Sequence, residues 1–139
     1  MTLVTRFFGR YEHTLDAKGR LILPSRFRDP YEHGGYLSAG QDGCLALWTP
    51  EEFDQQMEAM AAGATQSREQ RQLARVWASG TIDVAPDSQG RIVIPAHLRQ
   101  FAQLDGPVLV MGAIHMVELW NPTVWDDKVQ GAERVLLEN

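Results

Sequence analysis

Two short segments of this chain carry the residues that could do chemistry. Asp16-Ala17-Lys18-Gly19-Arg20 recurs as Asp87-Ser88-Gln89-Gly90-Arg91, and each aligned pair is 71 positions apart. Two aspartates that meet near a pseudo-twofold axis can share a proton and act as acid and base. The arginine four positions after each aspartate argues against this, because an ion pair would lower the carboxylate pKa. In aspartic peptidases a hydroxyl residue and then a glycine follow the aspartate directly, and neither Asp16-Ala17-Lys18 nor Asp87-Ser88-Gln89 has this order, so we expect no carboxylate-pair hydrolase.

The same segments are suited to holding a turn and presenting cations. An aspartate can accept hydrogen bonds from the backbone amides ahead of it, and a glycine can take the positive φ that a tight turn demands. The predicted turn-structuring residues are Asp16, Gly19, Asp87 and Gly90. The first copy has a lysine, Lys18, where the second has Gln89. This difference favours the first copy as the binding face.

The rest of the sequence contains no recognisable catalytic or ligand-binding motif. The glycine-rich loops of nucleotide-binding families are absent, and no serine lies in a nucleophile elbow. Cys44 is the only cysteine and the four histidines are scattered, which argues against a zinc site. We therefore predict no metal, no cofactor, no small-molecule substrate and no enzymatic activity.

Positive charge is concentrated at the start of the chain. The formal net charge of −5 argues against nucleic acid as a partner, because affinity for phosphates comes largely from cations. Residues 1–28, however, carry six positive side chains and two negative ones. The six are Arg6, Arg10, Lys18, Arg20, Arg26 and Arg28. A locally basic segment on an acidic body keeps nucleic acid among the expected partners.

Length and composition favour a globular protein. The chain has 139 residues, of which 44% are hydrophobic and 22% charged, so it fits one domain or two small ones that share a core. Its apolar runs are far shorter than the roughly 20 residues needed to cross a bilayer, and residues 1–10 lack an apolar signal core. We expect a cytoplasmic protein.

Each repeated turn lies between two predicted strands. Phe7–Leu15 and its counterpart Ala78–Pro86 are rich in β-favouring residues. The returning strands, Leu21–Leu23 and Ile92–Ile94, are apolar at every position, so we expect both of their faces to be covered. Two hairpins that clasp each other would provide that cover. Pro24 and Pro95 then begin short helices, predicted at 24–28 and 95–102.

Further strands and helices complete each copy. The predicted strands are Gly35–Gly40, Cys44–Trp48, Gly106–Gly112 and His115–Trp120. Thr49-Pro50 and Asn121-Pro122 are helix starts, and Ser67 caps a linking helix over 67–79. We expect two apolar sets to face the core: Phe53, Met57 and Met60, and Leu73, Val76 and Trp77. Arg68, Arg71 and Arg75 form either a solvated face or a contact with a neighbouring subunit, and the tail 131–139 is too short to form a stable helix alone.

The doubled motif resembles a known family. The two Asp-x-x-x-Arg turns, each followed by an apolar triplet and proline, and the two Trp-(Thr/Asn)-Pro segments resemble the MraZ family, which has two tandem SpoVT-AbrB domains. The resemblance covers about 8–127 and implies a mainly β fold with added α-helices, a swapped-hairpin (double-split) β-barrel formed by two tandem repeats. It places SpoVT-AbrB repeats at 8–55 and 80–126, a helical linker at 56–79 and a C-terminal helical tail at 127–139.

The resemblance also implies a function and its partners. Members of the family are transcriptional regulators, mainly repressors, that bind direct repeats in the promoter of the division and cell-wall gene cluster as ring-shaped homo-oligomers associated with the nucleoid. Matched by motif position, the implied DNA contacts are Arg20, Lys18 and Arg91. Charge adds Arg10, Arg26 and Arg28 as candidate phosphate contacts. The alternative is an antitoxin-like protein-interaction module that uses the same fold without specific DNA readout.

Overall fold

The structure, a computed structural model, describes residues 5–138. It contains eight strands, six α-helices and two short 3-10 turns in this range. Their order is β1 (Arg10–Thr14), β2 (Arg20–Ile22), α1 (Ser25–Arg28), β3 (Gly35–Ala39), β4 (Leu45–Trp48), α2 (Pro50–Gly63), α3 (Arg68–Gly80), β5 (Ile82–Val84), β6 (Arg91–Val93), α4 (Ala96–Phe101), β7 (Pro107–Gly112), β8 (Val117–Trp120), α5 (Pro122–Val129) and α6 (Ala132–Glu138). The protein is therefore mainly β with added helices.

The strands form two antiparallel sheets. Six strands make one sheet in the order β1-β7-β8-β4-β3-β5, and β2 and β6 form a separate two-stranded ribbon. The six-stranded sheet does not close on itself, since β1 and β5 lie at its edges.

The two copies of the repeat exchange strands. β1 of the first copy pairs with β7 of the second, with Arg10 opposite Met111 and Thr14 opposite Pro107. β5 of the second copy pairs in turn with β3 of the first. The chain passes from one sheet to the other at each repeated turn, because β1 and β2 belong to different sheets, as do β5 and β6. Both the six-stranded sheet and the ribbon therefore contain strands from both copies of the repeat.

The main core lies under the ribbon. Leu21 and Ile92, the central pair of the β2–β6 register, are 0% and 2% exposed and pack with aromatic and aliphatic side chains of both copies. Tyr31 is fully buried there, and its hydroxyl donates to the backbone oxygen of Leu47 at 2.7 Å. On the opposite face of β7, Leu109 and Met111 form a smaller cluster with Cys44 and Trp120.

The expectation that both faces of the returning strands are covered is wrong for the ribbon. Leu23 and Ile94 are buried, but Ile22 and Val93 are 44% and 57% exposed. The physical reason is that two paired strands can pack only one face of their ribbon on the core, and none of residues 5–138 forms a further layer over the other face. The outer face of the ribbon therefore remains open.

Helix caps follow the sequence prediction closely. The side-chain oxygens of Thr49 and Ser67 accept the backbone N–H of Glu52 and Gln70. The Asn121 side chain caps α5 in the same way. Each cap satisfies a backbone donor that the first helical turn leaves free.

The predicted strand over 78–86 begins too early. Helix α3 continues to Gly80, and β5 covers only Ile82–Val84. The helix extends because its last carbonyls find partners: the Thr81 hydroxyl donates to the oxygen of Trp77 at 2.6 Å, and the His97 ring lies 2.9 Å from the oxygen of Gly80. The repeat boundaries at 8–55, 56–79, 80–126 and 127–139 stay predictions.

The prediction that α2 and α3 turn their apolar side chains into the core is wrong for three of the six. Trp77 is buried and stacks on Phe53 at 5.2 Å between ring centroids. Met57, Leu73 and Val76, however, are 46%, 51% and 64% exposed. Leu73, Val76 and Phe101 of α4, which is 44% exposed, line an open groove, and we call this lining the helical apolar face.

Candidate nucleic-acid interface

The first repeated turn is held by its aspartate. Oδ1 of Asp16 accepts the backbone N–H groups of Lys18 and Arg20, each at 2.9 Å, and Oδ2 accepts Nε–H of Arg20 at 2.6 Å. Gly19 has a φ of +75°, which an L-residue adopts only with strain. These three hydrogen bonds and the left-handed glycine define the geometry of the turn.

The second turn repeats the arrangement bond for bond. Oδ1 of Asp87 accepts the N–H groups of Gln89 and Arg91, each at 2.9 Å, and Oδ2 accepts Nε–H of Arg91 at 2.8 Å. Gly90 has a φ of +78°. Each aspartate is therefore bonded within its own turn, and the carboxylate-pair hydrolase is ruled out.

The hydrogen bonds also set the protonation of both carboxyl groups. The backbone N–H of Arg20, helped by its side chain and by the N–H of Lys18, lowers the pKa of Asp16 from 3.8 to about 2. The equivalent bonds from Arg91 lower the pKa of Asp87. Both groups are ionised at neutral pH, which keeps each arginine fixed to its turn.

The β2–β6 ribbon places the two motif arginines on one surface. In its register Arg20 lies opposite Val93 and Ile22 lies opposite Arg91. Because side chains alternate along a strand and Leu21 and Ile92 point into the core, these four side chains share the outer face. We call this surface the outer ribbon face.

The arginines on this face keep donors free. Only Nε of Arg20 and Nε of Arg91 are engaged by the aspartates, and within residues 5–138 no hydrogen bond is found from Nη1 or Nη2 of either residue. A guanidinium group held at Nε and free at its other nitrogens can donate two parallel hydrogen bonds to a planar acceptor. The arrangement fits a phosphate or the acceptor edge of guanine.

Two further arginines pack across the turns of the opposite copy. Arg99 of α4 lies against Gly19 of the first turn, and Arg28 of α1 lies against Gly90 of the second. Nε of Arg28 donates to the backbone oxygen of Leu23 at 2.8 Å. Sequence reasoning missed Arg99, although the 71-position offset of the repeat relates it to Arg28.

The other predicted contacts are distributed unevenly. Lys18 is exposed at the tip of the first turn, and Arg26 is exposed on α1. Arg10 lies in the six-stranded sheet, where its guanidinium is 5.0 Å from the ring centroid of Trp125 and 3.9 Å from Glu133. Arg10 therefore interacts with side chains of α5 and α6 and not with the two turns. The structure brings five other cations to the two turns: Lys18, Arg20, Arg28, Arg91 and Arg99.

Comparison with known proteins identifies the family to which this chain belongs. A family model described as "MraZ protein, putative antitoxin-like" matches residues 7–76 and again residues 77–137. The chain belongs to the MraZ family. The two matched units correspond to the two turns and the two halves of the ribbon, so the MraZ family accounts for the duplication that the sequence shows.

Curated MraZ relatives resemble the chain over nearly its whole length. It is 42% identical to "Transcriptional regulator MraZ" of Kocuria rhizophila over 132 residues, which cover 95% of this chain and 92% of the relative. The protein of the same name from Cutibacterium acnes is 38% identical, with 95% and 93% covered. That of Roseiflexus castenholzii is 41% identical over 126 residues, with 87% and 85% covered. MraZ is a family of transcriptional regulators and not of enzymes.

The described residues add two observations on other classes of site. Within residues 5–138, no group of three or more histidine, cysteine, aspartate or glutamate side chains is arranged to hold a metal ion. Over the same part of the chain, no helix combines the length and apolar character needed to cross a membrane.

Proposed function

We propose that this protein regulates transcription by binding promoter DNA with the outer ribbon face. The observation that carries the proposal is the placement of Arg20 and Arg91 on the same face of a two-stranded antiparallel ribbon. The major groove of B-DNA admits such a ribbon, and an arginine fork matches the O6 and N7 acceptors of guanine. The names of the curated relatives support the same function.

Both turns contribute to this interface. Lys18 and Arg99 join Arg20 at the first turn, and Arg28 joins Arg91 at the second. The first turn has one cation more, which agrees with its expected larger share of the binding. Arg26 supplies a phosphate contact from α1, while Arg10 contributes only if its contacts with Trp125 and Glu133 are broken.

The assembly is a homo-oligomer, and the helical apolar face is its subunit interface. Leu73 and Val76 leave apolar surface uncovered beside Arg71 and Arg75, and the last helix exposes Leu136 and Leu137 at 77% and 87%. A seven-residue helix is unstable without packing, so α6 needs a neighbour to cover it. If these surfaces join one subunit to the next head to tail, the subunits form a closed ring when the rotation between neighbours brings the last subunit back to the first.

Oligomerisation compensates for the weak DNA affinity expected of a single acidic subunit. Several identical ribbon faces on one ring engage successive promoter direct repeats together, and each further contact is intramolecular. Avidity then rises by about 10² to 10⁴ over a single ribbon.

The target is the promoter of the division and cell-wall gene cluster, where binding mainly represses transcription. The protein acts in the cytoplasm at the nucleoid. The strand exchange between the copies supports the swapped-hairpin barrel as the fold of the DNA-binding unit.

The experiment is a titration of the protein with DNA from upstream of its own gene at several salt concentrations. Arg20→Ala removes a bidentate guanine contact worth about 1–3 kcal/mol, so its binding should be about 5 to 150 times weaker per site. Arg20→Lys keeps the charge but loses the fork, so it should keep the salt dependence and lose sequence preference. Unchanged affinity in a folded, assembled Arg20→Ala protein would refute the proposal.

A second candidate is an antitoxin-like module that binds a protein partner. The description of the matching family and the open helical apolar face favour it. A stoichiometric protein that co-purifies with the chain, together with no retardation of upstream DNA at moderate salt, would establish this function in place of the first.

A further inference from the structure

The outer ribbon face carries two apolar side chains that the arginine contacts do not use. Ile22 and Val93 are 44% and 57% exposed, whereas their neighbours Leu21 and Ile92 are buried in the core. The two exposed residues occupy the same position of the repeat, 71 positions apart. Both copies therefore leave a branched aliphatic side chain in solvent at the centre of the candidate interface.

The register puts each aliphatic side chain beside a motif arginine. Ile22 lies directly opposite Arg91, and Val93 lies directly opposite Arg20. Side chains directly opposite in an antiparallel pair have Cβ atoms about 4.5–5.5 Å apart. An isolated exposed aliphatic residue is ordinary on a protein surface. Here the same arrangement occurs twice, and each aliphatic residue neighbours an arginine with free donors.

The major groove offers one apolar group that suits this arrangement. Thymine presents its C5-methyl group there, next to the acceptors and donors of the other bases. An arginine that reaches guanine brings the aliphatic side chain opposite it to the neighbouring base edges. We infer that Ile22 and Val93 read thymine methyl groups beside the guanines bound by Arg91 and Arg20. The inference rests on the proposed function and specifies the DNA that is bound. Each half of the ribbon reads a half-site in which guanine and thymine lie close together, and the pseudo-twofold axis of the ribbon relates the two half-sites.

The test compares upstream DNA that contains thymine with the same DNA made with uracil, which lacks only the C5-methyl group. Binding is followed by fluorescence anisotropy at fixed salt. For each thymine methyl group that Ile22 or Val93 touches, the parent protein should bind uracil DNA about fourfold more weakly, the fold-change that corresponds to burial of one methylene-sized group. Equal affinity for the two DNAs would overturn the inference and leave the proposed function intact. Absence of binding to either DNA would overturn the proposed function and the inference together.

Variants separate contact with the methyl group from an effect of uracil on DNA shape. The double variant Ile22→Ala, Val93→Ala should bind thymine DNA more weakly than the parent and should no longer distinguish it from uracil DNA. Phe8→Ala, which removes a side chain that is 60% exposed outside the ribbon, should discriminate as the parent does. Persistence of the parent's discrimination in the double variant would overturn the inference. So would a fall in the oligomer mass of that variant, since it would assign the two side chains to a subunit contact.

Discussion

Alanine should not cost the same free energy of unfolding at the two turn glycines, although they are equivalent in the repeat. Gly19 and Gly90 have φ values of +75° and +78°. An L-residue in this left-handed region costs about 1–2 kcal/mol, and both substitutions incur that cost. The difference between them comes from the arginine that packs over each turn.

At Gly19 the new methyl group would overlap the end of the Arg99 side chain, with the carbonyl oxygen of Ile94 at 3.2 Å. The end of a long side chain can move away at little cost. At Gly90 it would overlap Arg28 from the guanidinium inward to Cδ, at 3.0 Å, and Nε of that residue donates to the oxygen of Leu23. Arg28 cannot move without breaking this bond, which as a charge-assisted hydrogen bond is worth about 1.5–3 kcal/mol.

The expected costs are therefore about 1–2 kcal/mol for Gly19→Ala and about 2.5–5 kcal/mol for Gly90→Ala. Urea unfolding would measure both, at one protomer concentration because association contributes to apparent stability. Repeating Gly90→Ala in an Arg28→Ala background should reduce its cost to about 1–2 kcal/mol. Equal costs at the two glycines, or an undiminished cost without Arg28, would refute the reasoning.

Two other predictions concern pH and assembly. Because the pKa of Asp16 falls from 3.8 to about 2 on folding, its ionised form stabilises the fold above pH 3.8, and this contribution is lost as the pH falls towards 2. The melting temperature of the parent should drop over that window more than that of Asp16→Asn; parallel curves would contradict this. Val76→Glu places a charge on the helical apolar face and should lower the mass measured by light scattering, whereas Phe8→Glu, at a site of similar exposure, should leave it unchanged. Equal masses for the two variants would show that the helical apolar face is not part of the subunit interface.

The turns could be predicted from the sequence because their interactions are local. All the bonds of Asp16 reach residues no more than four positions away, and the duplication showed the pattern twice. The helix starts at Thr49 and Ser67 were predictable for the same reason.

Strand partners were not predictable in this way. The two strand–turn–strand segments have nearly the same pattern of residues, so the sequence does not say whether β1 pairs within its own copy or with β7 of the other. Periodicity likewise identifies an apolar helix face without saying what covers it. Leu73 and Val76 were expected in the core for that reason and are instead exposed. Arg99 could have been found, because it lies at the position of Arg28 in the second copy.

The exchange of strands also imposes an order in time on the newly made chain. Arg10 pairs with Met111, about a hundred positions further along, so the first strand leaves the ribosome long before its partner exists. At about 5–20 residues per second, the wait is on the order of 5–20 s. During this interval the N-terminal half has an unpaired strand edge, which favours pairing with another chain. Two copies translated side by side from one messenger would then be able to trade first strands, and a transcript cut short after the first repeat would yield a fragment that needs a second molecule to fold.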